Sequence, residues 1–205
     1  MAFGDISLER LIAGAVALLV GLTFHEFSHA LTADQLGDGR PRAMGRLTLN
    51  PIAHVDPVGA LMLVVAGFGW AKPVMVNPAA LRGGRQSMAF VAFAGPIANV
   101  VVAIGFAVVY RVMGLTGVDD GFVLRLIGLI VQFNVLLAIF NLVPIPPLDG
   151  YNVLLAFLPP RQAASVQRYA PYGVIALLLL IFLPGSPLGA LLSLSAPATR
   201  VLIGA

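Results

Sequence analysis

His25 and His29 stand four residues apart in the run Phe24-His25-Glu26-Phe27-Ser28-His29. On a helix that spacing puts both side chains on one face, with Cβ atoms about 5–6 Å apart, a bite one metal ion can take from two imidazoles. Glu26, beside the first histidine, is then placed to take a proton from a water held in the same site. The cluster lies inside an apolar run from Leu11 to Ala33. Ionisable side chains are costly at membrane depth and persist there mainly for function. The bland alternative, a chance spacing on a helix of satisfied polar groups, is rare in a segment this apolar.

A third ligand has to come from elsewhere. The chain has no cysteine, so thiolate ligands and disulfides are both excluded. Asp149 is the sole carboxylate after Asp120, in the stretch Asn141-Leu-Val-Pro144-Ile-Pro146-Pro147-Leu148-Asp149-Gly150. Its plain reading is a cap or turn residue in a proline-rich bend, with Gly150 supplying a positive φ. Its chemical reading completes His25, His29 and Asp149 as the ligands of one Zn2+ per chain, with the fourth position open as in catalytic zinc sites. Ligand type alone also admits other divalent ions.

That convergence sets a topological condition. Both clusters lie at the C-terminal ends of apolar helices, predicted at about 8–33 and 120–142, so these two must run the same way. The helix between them, about 87–113, must return, and the apolar stretch 58–68 must not cross. At about eleven residues it is too short to span and reads as re-entrant or interfacial. Arg40, Arg42, Arg46, Lys72, Arg82, Arg85, Arg161 and Arg168 fall at the end bearing the cluster, against Arg10 and Arg111 diluted by Asp119 and Asp120 at the other. The positive-inside rule makes the cluster's end cytoplasmic.

The composition fits this frame. Of 205 residues 59% are hydrophobic and only 10% charged, against about 25% charged in an ordinary soluble domain; the mean hydropathy is +0.96. The expectation is an all-α polytopic membrane protein of about five transmembrane helices, the last two at about 170–183 and 187–204. Residues 1–205 read as a single domain, with a core at 8–158 and extra C-terminal helices at 169–204. Asp5 and Ser7 are candidate N-caps of the first helix, which is expected to be retained rather than cleaved as a signal peptide. Alternation at 45–50 and again at 70–77, each ending in Asn-Pro, predicts two short strands of a small β-sheet near the cytoplasmic face. The net charge of +3 reads as topology signals, not a nucleic-acid surface.

Other polar positions carry two readings each. Asn141 donates to a substrate carbonyl or oxyanion, or caps its helix. Gly95 and Asn99, one turn apart, serve close helix packing with an interhelical hydrogen bond, or touch substrate. His54, with Asp56, reads as a solvated loop histidine rather than a further ligand. Trp70 is most simply an interface anchor.

With HEFSH on one apolar helix and NLVPIPPLDG after another, the chain resembles the site-2 protease family of intramembrane zinc metalloproteases, in its short prokaryotic form. HEFSHALTADQLGD, GRLTLNPIAHVDPVG, GWAKPVMVNP, AGPIAN and NLVPIPPLDG resemble that group's signatures, in its order, over nearly the whole chain. The resemblance implies His25, His29 and Asp149 as zinc ligands, Glu26 as the catalytic glutamate and Asn141 as a substrate-positioning asparagine. Gly95 and Asn99 match a core-helix motif. It implies cleavage of peptide bonds in or near transmembrane helices of single-span membrane proteins or remnant signal peptides, in a prokaryotic cytoplasmic membrane. No sequence here fits the PDZ or CBS domains of other members. Met75 stands where the family's strand has proline, and 58–68 is shorter than usual.

A helical substrate hides its carbonyls in i→i−4 bonds and must unwind to be cut. The segment Trp70–Asn77, with Val74 and Val76, is the expected edge that receives it as an added strand. Two competing classes are a metal transporter and a non-proteolytic metal-binding scaffold. A transporter distributes polar residues along a path, whereas here they cluster at one depth; a scaffold has no need of Glu26.

Overall fold

The computed structural model describes residues 8–66, 69–117 and 120–204. Asp5, Ser7, Asp119 and the last two residues of the 58–68 stretch lie outside that set. Three long helices organise the rest: α1 (Leu8–Gln35), α4 (Gly84–Leu115) and α5 (Gly121–Asn141). Each is long and apolar enough to cross a membrane. Between α1 and α4 come α2 (Arg40–Ala43), a 3-10 turn at Pro51–Ala53 and α3 (Pro57–Ala66). After α5 follow α6 (Asp149–Phe157), α7 (Pro160–Gln167), a 3-10 turn at Ala170–Tyr172, α8 (Gly173–Phe182), α9 (Pro187–Ser193) and α10 (Ser195–Ile203).

The long helices form a three-helix core whose directions are fixed by their contacts. Glu9 pairs with Arg125 at 2.9 Å, and Gly14 and Gly21 sit against Phe133 and Leu137, so α1 and α5 run parallel. His25 meets Asn99 and His29 meets Val91, so α4 runs antiparallel to both. Ala17, Val102 and Ile130 form the buried seam between the three. Asp120 caps α5 by accepting from the N–H groups of Phe122 and Val123. The sequence required this arrangement if residues 25, 29 and 149 were to meet.

Two expectations need correction. First, no strand forms among the described residues, and the anticipated sheet reduces to one antiparallel bridge, Val55 with Ala71. The alternation at 45–50 misled because Arg46, read as its outward residue, is buried. Its guanidinium donates to the carbonyls of Ala53 and Lys72, tying two loops together where a ladder would have run. Leu49, read as inward, is exposed. Second, among the described residues three helices, not five, are long and apolar enough to span. Residues 160–182 form a pair bent by 44°, which makes a fourth span at most. At 1.5 Å per residue the ten-residue α8 reaches about 15 Å, half a bilayer core. The 187–204 segment breaks at Leu194 into α9 and α10.

The C-terminal helices have a clear packing role. Leu177 of α8 and Leu188 of α9 close over Val143 and Leu148, and Gly173 lies so close to Pro146 that a Cβ there would stand 2.5 Å from its carbonyl oxygen. They buttress the proline-rich turn that carries Asp149. Asp38, just past the end of α1, is buried. It accepts from Arg40 and, at 2.6 Å, from the backbone N–H of Asn77, pinning the end of the irregular segment 72–77.

Candidate metal centre

His25, Glu26 and His29 are all buried on α1. The turn after α5 brings Asp149 to them, and one ligand atom each of His25, His29 and Asp149 falls within 4.8 Å of the others. The two Nε2 atoms are 2.9 Å apart, and Asp149 Oδ2 lies 3.0 Å from one and 3.2 Å from the other. The rings meet edge to face, with planes at 85°. Asp149 is the first residue of α6 and does not cap it. Gly150 has no positive φ; it is required for close approach, since a Cβ there would overlap the carbonyl of Leu142.

The proton positions on the two rings follow from their partners. His29 Nδ1 is 2.7 Å from the carbonyl of Val91, which can only accept, so Nδ1 carries the hydrogen. His25 Nδ1 is 2.7 Å from Asn99 Oδ1 and donates likewise. In neutral rings both Nε2 lone pairs then face each other and the carboxylate oxygen, and Asp149 Oδ2 is buried with no hydrogen-bond donor. Three acceptor atoms at such separations repel unless a cation lies among them. Zinc bonds of about 2.0 Å at tetrahedral angles place ligand atoms about 3.3 Å apart, close to the spacings found. The donor set fits zinc. Burial alone would raise the Asp149 carboxyl, but positive charge at the adjoining His29 and His25 nitrogens holds it below the usual carboxylate range.

Gly95 belongs to this centre through packing. A Cβ at that position would lie 2.5 Å from Nε2 of His29 and 2.6 Å from Nε2 of His25, so only glycine leaves the ligand atoms room. Pro96, next in α4, has no N–H to give the Ala92 carbonyl, and the neighbouring Val91 carbonyl takes the hydrogen bond from His29. Asn99 holds His25, and its own amide donates to Gly21 and to Asn134 of α5. Asn134 was not among the residues singled out from sequence; a buried asparagine midway along an apolar helix was the signal that could have found it.

Glu26 Oε2 accepts from the backbone N–H of Val74 at 3.1 Å, so the extended segment passes directly over the glutamate. Val76 instead packs into the apolar cluster of Ala33, Leu81 and Val91. Trp70 is half exposed, and its carbonyl abuts Gly59 of α3. The Asn141 amide donates one hydrogen bond to the Leu137 carbonyl of its own helix and does not join the cluster. His54 is not the solvated residue expected: it is buried, bonded to the Thr48 carbonyl at 2.8 Å, and lies outside the metal cluster.

The model of peptidase family M50 matches residues 112–182, which include Asn141 and Asp149. The chain is 39% identical over 179 residues to "Putative zinc metalloprotease YwhC" of Bacillus subtilis (strain 168), covering 82% of this chain and 80% of that protein. It is 31% identical over 175 residues to "Putative zinc metalloprotease Rip2" of Mycolicibacterium smegmatis, covering 81% of this chain and 65% of the relative. No solved structure matches it. With three apolar helices of spanning length and a His-His-Asp cluster on them, the chain belongs to peptidase family M50, the site-2 protease family.

Proposed function

We propose that this protein is an intramembrane zinc endopeptidase that hydrolyses peptide bonds in or near the transmembrane segments of single-span membrane proteins or remnant signal peptides. The observation that carries this reading is the convergence of one ligand atom each from His25, His29 and Asp149, with Glu26 beside the histidines on α1. His25, His29 and Asp149 would hold one Zn2+ per chain, which when bound lowers the pKa of water toward about 7 and polarises a carbonyl. Glu26 takes the proton of the attacking water as its oxygen bonds to the scissile carbonyl carbon. The same carboxyl returns that proton to the amine as the C–N bond breaks. The Val74 N–H fixes one carboxylate oxygen of Glu26, leaving the other for the proton.

The exposed, extended stretch around Met75 is offered as the edge that receives an unwound substrate, with Val74 and Trp70 flanking it. Asn141, Gly95 and Asn99 are assigned to positioning, the first toward substrate and the other two toward the ligands. Residues 8–158 make up the working core, with 169–204 as its buttress. The arginines and Lys72 at the site's end favour a cytoplasmic-side site in a prokaryotic cytoplasmic membrane, though Arg46 among them is spent internally.

The test is Glu26→Gln in the purified chain with a single-span substrate. Zinc content should match the parent while cleavage falls by about 10²–10⁴-fold, the usual worth of a general base. Undiminished cleavage removes Glu26 from its role. A parent chain that holds zinc but cuts nothing indicates a scaffold instead.

A further inference from the structure

Resting on the reading of His25 as a zinc ligand, we propose that Asn134 is a positioning residue of the same centre. It hydrogen-bonds to neither histidine. Acting through Asn99, it holds His25 in the tautomer whose Nε2 lone pair faces the metal.

The two histidines are oriented by different means. The Nδ1 of His29 donates to a backbone carbonyl, that of Val91, which is rigid and has one polarity. The Nδ1 of His25 meets a side-chain amide, which can present either its oxygen or its nitrogen. The orientation of Asn99 therefore decides where the His25 proton sits, and something must decide the orientation of Asn99.

Asn134 does so, and each link has a direction. Asn134 is fully buried in α5, and its Nδ2 donates to the Ile130 carbonyl at 2.8 Å. That carbonyl can only accept, which turns Asn134 Oδ1 toward α4, where it accepts from Asn99 Nδ2 at 2.9 Å. The second hydrogen of Asn99 Nδ2 goes to the Gly21 carbonyl at 3.0 Å. With both N–H groups committed, only Oδ1 remains to meet His25, 2.7 Å away, so His25 Nδ1 must carry the proton. Turning the Asn99 amide over would set oxygen against oxygen at both Asn134 and Gly21. It would also aim an N–H at His25 Nδ1, driving the ring proton onto Nε2, where a ligand atom is needed.

The measurement is zinc affinity of the full chain in detergent, read by competition with a chromogenic chelator after zinc removal. It needs no substrate and is independent of cleavage. Asn134→Ala should lower affinity by about 10-fold or more, the range found for partners that orient metal-bound histidines. Asn134→Asp, neutral when buried, keeps both the acceptor and a donor and should bind zinc as the parent does. In an Asn99→Ala background, Asn134→Ala should cost nothing further, because its only route to His25 is gone. A merely structural asparagine would weaken the two backgrounds alike. Unchanged affinity in Asn134→Ala, lost affinity in Asn134→Asp, or additive losses in the double variant each overturn the inference while leaving the zinc site standing. A parent chain that binds no zinc overturns the site itself.

Discussion

Gly95 and His29 are packed so that a methyl group on the first would stand 2.5 Å from the Nε2 atom of the second. Two long helices, α1 and α4, approach each other at the point where one carries the ligands. The absence of a side chain at position 95 is thus a condition of metal binding rather than of helix formation.

Gly95→Ala separates the two. Alanine adds about 1 kcal/mol of helical preference, offsetting much of an overpacking cost of about 1–3 kcal/mol, so the metal-free chain should unfold near the parent's temperature. The imidazoles, however, must move, and zinc affinity should drop by about 10-fold or more. Thermal unfolding and zinc titration on the same sample check both halves. Parent-like zinc binding would show that the histidines can yield without consequence.

The hydrogen bond from Val74 to Glu26 predicts a dissociation of zinc content from turnover. Val74→Pro removes the N–H and leaves a buried carboxylate without its donor. A hydrogen bond to a charged group is worth about 1.5–3 kcal/mol, so turnover should fall by about 10- to 100-fold with zinc per chain unchanged. Val74→Ala retains the N–H and should cut nearly as the parent does. Equal losses in both variants would mean that the side chain, not the backbone donor, matters.

Zinc retention should weaken on acidification. Imidazole binds a metal ion only through an unprotonated nitrogen, so protons compete with the ion for the site. Asp149, held below the usual carboxylate range beside the imidazoles, is the ligand that stays ionised longest as pH falls. The affinity should therefore decline as pH falls and should recover on neutralisation. A flat profile would place the ion elsewhere.

Much of this was legible from residue order. The three core helices are long, predominantly apolar runs, and length alone distinguishes them from α3. Asp149 could be matched to His25 and His29 because only one arrangement of helix directions lets them meet. What escaped depended on tertiary detail. Arg46 looked like the outward member of an alternating strand, yet two loop carbonyls made its burial favourable. Four or five alternating residues are too few to tell those cases apart. The contact between Glu26 and Val74 joins a side chain to a backbone amide 48 positions away, and no pattern of residue types encodes an amide. Asn134 was legible in principle, as a polar residue within α5, but its purpose needed the geometry of Asn99.

The parallel course of α1 and α5 has a consequence for biogenesis. The two histidines leave the ribosome early, while the carboxylate that completes their set follows more than a hundred residues later, after a third crossing. A nascent chain therefore carries two of the three ligands without the third until α5 and the turn after it have been made.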